Sequence, residues 1–181
     1  TDMFLACYNN AGIMEWVRPL GSTRINPNGC RVAVGTDGVY VTGSETGDLD
    51  GNTNKGGYDA FLVKYSFTGF KLWTRLFGGH ENDFGSNIAT DNQGYVYATG
   101  SLEHGSYAEV LLVKYDAAGN MQGGMATFGD NNDDDVGLGI AYAGGYLFVT
   151  GQTWGSSFDG NSQIGNVDAF LMKYDTNLNR Q

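Results

Sequence analysis

The stretch with the clearest capacity for chemistry is an acidic, amide-rich loop, Asp48-Leu-Asp-Gly-Asn-Thr-Asn-Lys-Gly-Gly-Tyr-Asp59. Asp48, Asp50, Asn52, Asn54 and Asp59 place oxygen side chains at loop positions 1, 3, 5, 7 and 12. With that alternation a hard cation such as Ca2+ gathers about six to eight oxygens. A second loop, Ser157-Phe-Asp-Gly-Asn-Ser-Gln-Ile-Gly-Asn-Val-Asp168, supplies Asp159, Asn161 and Asp168 and keeps the Asp50-to-Asp59 spacing. The loops depart from a helix-flanked calcium site: Thr53 stands where glycine is needed, and Asp59 closes the loop in place of glutamate. The competing reading is a turn whose Asp and Asn side chains bond their own backbone. Ca2+ is the only cofactor the sequence suggests.

The remaining candidates divide between ligand contact and structure. Trp154 lies in a loop beside Ser156, Ser157 and Asp159, has no aromatic equivalent elsewhere in the chain, and suits contact with a glycan or a partner. Trp16 and Trp73 occupy one repeated position, where a large aromatic fills a core. Lys64, Lys114 and Lys173 also recur, with the stem expected to pack and the ammonium to reach water or a carboxylate. Asp83 and Asp135 each stand two residues before a glycine, which points to capping of loop N–H groups. For catalysis the inventory is thin: His80 and His104 lack metal-ligand spacing, and no G-x-S-x-G, H-E-x-x-H, P-loop or C-x-x-C pattern is present. The chain therefore reads as a non-enzyme.

Bulk properties narrow the classes. The formal charge is −10, from 20 acidic and 10 basic residues, which argues against nucleic acid and anionic membrane surfaces. No apolar stretch approaches the ~18 residues of a membrane span. Cys7 and Cys30 leave a disulfide and two free thiols equally open. The 29 glycines, 11 tyrosines and 10 phenylalanines, set in short alternating apolar runs, indicate sheet with no long amphipathic helix.

The elements that position these residues repeat. Asp59-Ala-Phe-Leu-Val-Lys-Tyr65 returns as Asp168-Ala-Phe-Leu-Met-Lys-Tyr174, and more loosely from Glu109 and from Asp2. A Trp segment follows the first two copies, then glycines at Gly21, Gly78-Gly79 and Gly129. Gly85-Ser-Asn-Ile-Ala-Thr90 is matched from Gly29 and Gly137, and Tyr95-Val-Tyr-Ala-Thr-Gly100 by segments ending at Gly43 and Gly151. Four strand-like segments recurring about every fifty residues describe four-stranded antiparallel blades. With these motifs the chain resembles the seven-bladed β-propeller repeat (SBBP) family over nearly its whole length. It departs at Met121-Gln122-Gly123, which lacks the Trp, and at Cys7, which replaces the Lys. The resemblance implies extracellular or cell-surface proteins of mostly unassigned function.

The expected fold is all-β, a single propeller-like array over residues 1–181, with repeats at about 2–58, 59–108, 109–167 and a partial 168–181. Naming the Ile-Ala, Tyr-x-Thr-Gly, Asp-Ala-Phe-Leu and Trp segments a, b, c and d, the order is c-d, a-b-c-d, a-b-c-d, a-b-c. Such an array is expected to be a piece of a longer propeller, half of a six-bladed ring, or a filament subunit whose initial c-d completes the final a-b of a neighbour. The leading functional expectation is a structural or adhesive protein, extracellular or at the cell surface, that self-associates head to tail. The alternatives are a calcium-dependent glycan-binding module and part of a larger propeller hydrolase or lyase.

Overall fold

The computed structural model describes residues 3–20, 30–129, 133–155, 157–158 and 160–181. Asp159, one of the candidate calcium ligands, lies outside them, as do Asp2, Gly21, Gly29 and Ser156. Every described element is a strand. β1 (Met3–Tyr8) and β2 (Met14–Leu20) form a hairpin. β3 (Arg31–Val34), β4 (Val39–Glu45), β5 (Asp59–Tyr65) and β6 (Lys71–Phe77) form one antiparallel four-stranded sheet in sequence order. β7 (Asp83–Thr90), β8 (Val96–His104), β9 (Tyr107–Tyr115) and β10 (Met121–Phe128) form a second. β11 (Asp135–Ala143) and β12 (Tyr146–Thr153) pair with β15 (Asp168–Asp175), while β13 (Ser157–Phe158) and β14 (Asn161–Ser162) make a small hairpin between them. The order is thus c-d, a-b-c-d, a-b-c-d, a-b-c, as the repeats imply. Four-residue turns such as Ser66-Phe67-Thr68-Gly69 reverse the chain between c and d.

One expectation about assembly needs correcting. The final a-b pair does not wait for a neighbour's strand c, because β15 pairs with β12 over the whole ladder, from Tyr146↔Asp175 to Thr153↔Asp168. The outer edge of β15 is itself engaged where Arg180 bridges Tyr174 and the Gln181 N–H donates to the Lys173 carbonyl at 2.9 Å.

The sheets stack face to face, and each apolar cluster spans two of them. Leu20, Met3 and Leu5 meet Val41, Phe61, Val63 and Tyr65. Tyr40, Ala60, Leu62 and Phe77 meet Ile88, Val96, Leu111, Val113 and Tyr115. Tyr97, Val110 and Leu112 meet Leu147, Val149, Phe170, Met172 and Tyr174. Successive residues of strand c therefore alternate between the preceding and the following sheet, which is why β5 and β9 are apolar without a break. Strands a of neighbouring sheets (β3 with β7, β7 with β11) lie close together, which sets an inner end to each wedge.

The two outermost faces show the same alternation with no described strand opposite. Phe4 is 71% exposed and Leu171 is 72% exposed, whereas their repeat equivalents Phe61, Leu62, Leu111 and Leu112 are fully buried.

Candidate functional site

The repeat's conserved-looking side chains turn out to clasp one sheet to the next. On strand d, the Trp73 indole N–H donates to the Ala117 carbonyl at 3.1 Å and Arg75 Nε to the Gly119 carbonyl at 2.7 Å. Trp16 and Arg18 repeat this on Phe67 and Gly69 at 3.1 and 2.7 Å. Each guanidinium lies over its own indole, at 5.6 Å for Arg18 and 5.5 Å for Arg75, in cation–π range. Glycine is needed beneath: Gly69 (φ 79°) and Gly119 (φ 80°) have left-handed backbone, and a Cβ there would meet the Trp ring at 2.7 and 2.8 Å.

Strand c adds a second clasp. Lys64 Nζ reaches Asp37 Oδ2 at 2.5 Å and the Ala117 carbonyl of the next sheet at 2.9 Å. Lys114 Nζ makes the equivalent bond to the Thr176 carbonyl at 2.9 Å and sits 3.9 Å above the Tyr95 ring. Both lysines thus reach the neighbouring backbone, and Lys64 reaches a carboxylate as well. Cys7, in the Lys position, instead points its thiol at Glu15 at 3.7 Å, and Cys7 and Cys30 are both free.

The Thr-Gly ending of strand b and the glycine opening strand a form a third contact. Thr42, Thr99 and Thr150 donate across to the Phe61, Leu111 and Phe170 carbonyls at 2.7, 2.9 and 2.7 Å. Gly85 lies against Thr42-Gly43 of the preceding sheet so closely that a Cβ would sit 2.6 Å from Thr42 Oγ1; Gly137 lies likewise on Thr99. Both glycines begin a β-bulge, at Gly85/Asn87 and Gly137/Gly139, that presses strand a onto its neighbour.

Asp83 caps as its position suggests. Fully buried, it accepts the Gly79 N–H at 2.5 Å on Oδ2 and the Glu103 N–H at 3.2 Å on Oδ1. Burial pushes its carboxyl up to about 6, against those two hydrogen bonds and with help from the charges of Asp59 and Glu103.

The five candidate calcium ligands of the first loop do not converge in this geometry. Leu49 and Asn52 pair around Asp50 (φ 51°) and Gly51 (φ 81°), a tight two-residue hairpin. Asp48 Oδ1 accepts the Asn54 N–H at 2.8 Å, and Asn54 Oδ1 accepts the Gly56 N–H at 3.1 Å. Asn52 Nδ2 donates to the Leu49 carbonyl at 3.0 Å, and Asp59 Oδ2 accepts the Lys55 N–H at 2.9 Å. Asp50 leaves the loop, taking Lys71 Nζ at 2.6 Å and the Thr74 hydroxyl at 2.6 Å. Burial raises the Asp50 carboxyl, but the Lys71 and Thr74 bonds and the Lys71 charge outweigh it and hold the group below its usual range. The second loop copies this: Asn161 Nδ2 donates to Phe158 at 3.4 Å and Asp168 Oδ2 accepts the Ile164 N–H at 2.7 Å. Among the described residues no group of three His, Cys, Asp or Glu side chains could hold a metal ion.

His104 pairs within its own hairpin, and His80 reaches the β4–β5 loop. His104 Nε2 lies 3.3 Å from Glu109 across the β8–β9 hairpin, a pairing hidden in the sequence because Glu103, not Glu109, is adjacent. His80 Nδ1 lies 3.3 Å from the Lys55 carbonyl.

Trp154 is placed differently. Its ring, 42% exposed, borders a groove of about 640 Å3 that runs across the inner strands β3, β7 and β11. Leu138, Ser86, Glu103, Asp134 and Arg31 share the lining. The Trp154 N–H donates to the Asp134 carbonyl at 2.9 Å, and Asp134 Oδ1 accepts the Ala108 N–H at 2.9 Å, which ties the Trp loop to β9. Glu103 Oε2 accepts from Asn82 Nδ2 at 2.9 Å.

Stacked four-stranded antiparallel sheets with inner a and outer d strands define a β-propeller-type repeat array. The SBBP beta-propeller repeat pattern matches residues 72–101, from β6 through most of β8. It is also similar to the regulatory protein FlaEY of Caulobacter vibrioides, with 33% identity over 171 residues that take in 81% of this chain and 18% of that protein. The chain thus spans less than a fifth of that relative's length. Among the described residues no helix is long and apolar enough to cross a membrane.

Proposed function

We propose that this chain is a non-enzymatic structural repeat module, extracellular or at the cell surface, that associates head to tail with further blades of its own kind. The observation that supports this is the pair of uncovered faces. Phe4 and Tyr8 on β1 are 71% and 59% exposed, yet the same positions in β5 (Phe61, Tyr65) are buried against the preceding sheet. Leu171 on β15 is 72% exposed, yet Leu62 and Leu112 are buried against the following sheet. One face therefore presents the side of a blade that looks backward along the array, and the other the side that looks forward. A second copy offers the matching surface to each, which gives a polar, head-to-tail contact. Exposed apolar surface of this kind marks an interaction site.

Sedimentation velocity of the chain over a wide concentration range tests it. Species that grow with concentration, and that revert to monomer in both Phe4→Lys and Leu171→Lys, are expected. A wild-type chain that stays monomeric throughout overturns the reading.

A further inference from the structure

The groove beside Trp154 does not belong to either stacking face, and its polar lining carries acceptor oxygens that the contacts between blades do not use. We propose that it is a carbohydrate-binding site for a neutral oligosaccharide, with the Trp154 indole as the platform for one pyranose ring.

Its size, about 640 Å3, falls within the range of small-ligand clefts. Trp154 and Leu138, 42% and 45% exposed, give it an apolar side on which the C–H face of a sugar ring can lie. The polar side is prearranged to accept hydroxyl protons. Glu103 is fixed by Asn82 through Oε2 alone, which leaves Oε1 with no partner among the described residues. Asp134 is fixed by the Ala108 N–H through Oδ1 alone, which leaves Oδ2 in the same state. A carboxylate held by one oxygen keeps its orientation and offers the other as a strong acceptor at no further ordering cost. Ser86 adds a hydroxyl, and Arg31 and the indole N–H of Trp154 are donors to sugar oxygens.

The same inventory sets the class of sugar. Two carboxylates and one guanidinium line the groove, and the whole chain carries −10, so uronate or sulfated chains are repelled. A purely apolar ligand would strip water from both anchored carboxylates without replacing their hydrogen bonds.

Isothermal titration of the chain with cellohexaose, laminarihexaose, maltohexaose and mannohexaose tests the site, with hexagalacturonate as the charged control. At least one neutral hexasaccharide should bind, and Trp154→Ala and Glu103→Gln should each weaken it by about tenfold or more. Unchanged thermal melting of Trp154→Ala and Glu103→Gln would show that the loss is local. The proposal is overturned if none of the four binds, if hexagalacturonate binds as well as they do, or if binding survives both substitutions. Since Phe4 and Leu171 lie away from the groove's lining, Leu171→Lys should retain sugar binding whatever its assembly state.

Discussion

Leu178 occupies in the last c-d turn the place that Gly119 holds in the turn before, with the same left-handed backbone (φ 66° against 80°). Above Gly119 lies Trp73; above Leu178 strand β10 has no Trp, but a bulge through Gly123 and Gly124 between Met121 and Met125. Leu178 packs with Ala126 and Phe128 into the cluster between those sheets. Ring and glycine have been exchanged for glycine and a branched side chain, and the strained leucine is the cost of filling the space.

The exchange predicts coupling. Gly119→Leu should destabilise by about 2–4 kcal/mol from clash and backbone strain, and much of that should return in the Trp73→Ala, Gly119→Leu double variant. Leu178→Gly removes both the packing and the strain, so its net cost should be smaller, about 1 kcal/mol. Urea denaturation of the single and double variants reads these differences directly.

The hydroxyl of Thr99 is buried and bonds only across its own sheet, to the Leu111 carbonyl. Thr99→Val keeps the shape and loses the bond, leaving an acceptor underused; a loss of about 1–2 kcal/mol is expected in the same assay.

Asp83 predicts a pH dependence whose direction follows from its raised pKa. The folded group binds its proton more tightly than the unfolded one, so its stabilising contribution is complete below the ordinary Asp value. That contribution is lost as the pH rises through about 6. Between these limits, unfolding of the native chain should release close to one proton more than unfolding of Asp83→Asn. The check is the slope of unfolding free energy against pH for the two proteins.

The hairpin at Asp50 and Gly51 is held by protein donors. Asp50→Asn should lower stability by less than about 1 kcal/mol, because Asp50 and Lys71 are each about a third exposed and screened by water. The loss should be the same in EDTA and in excess Ca2+, as measured by thermal melting.

The blade was legible in the sequence because its marks are periodic. Strand c is apolar on both faces, so its pattern survives as Phe-Leu-Val whatever it packs on, and the glycine and Thr-Gly motifs mark a close approach that few side chains permit. The clasps were only half legible. Trp16, Trp73 and the lysines stood out by recurrence, but their acceptors are main-chain carbonyls of turns that share little beyond glycine, so no residue pair advertised the contact. Asp48 to Asp59 read as ligand spacing because Asx turns and cation loops draw on the same residues; only the direction of each oxygen separates them. The groove was least legible. Glu103, Asp134, Ser86 and Arg31 come from three different blades, and no spacing along one chain brings them to notice.

The donors Trp16, Arg18, Lys64, Trp73, Arg75 and Lys114 come from three successive blades, and each finds a backbone oxygen in the blade that follows its own. A duplicated blade carries both the turn carbonyl and the glycine beneath the ring, so inserted into the series it arrives already able to be gripped. No partner residue must change with it, and lengthening by tandem duplication meets little resistance at the outer strands. The same one-way arrangement forbids reversal of a blade: such an array can grow or shrink in evolution, but it keeps its direction.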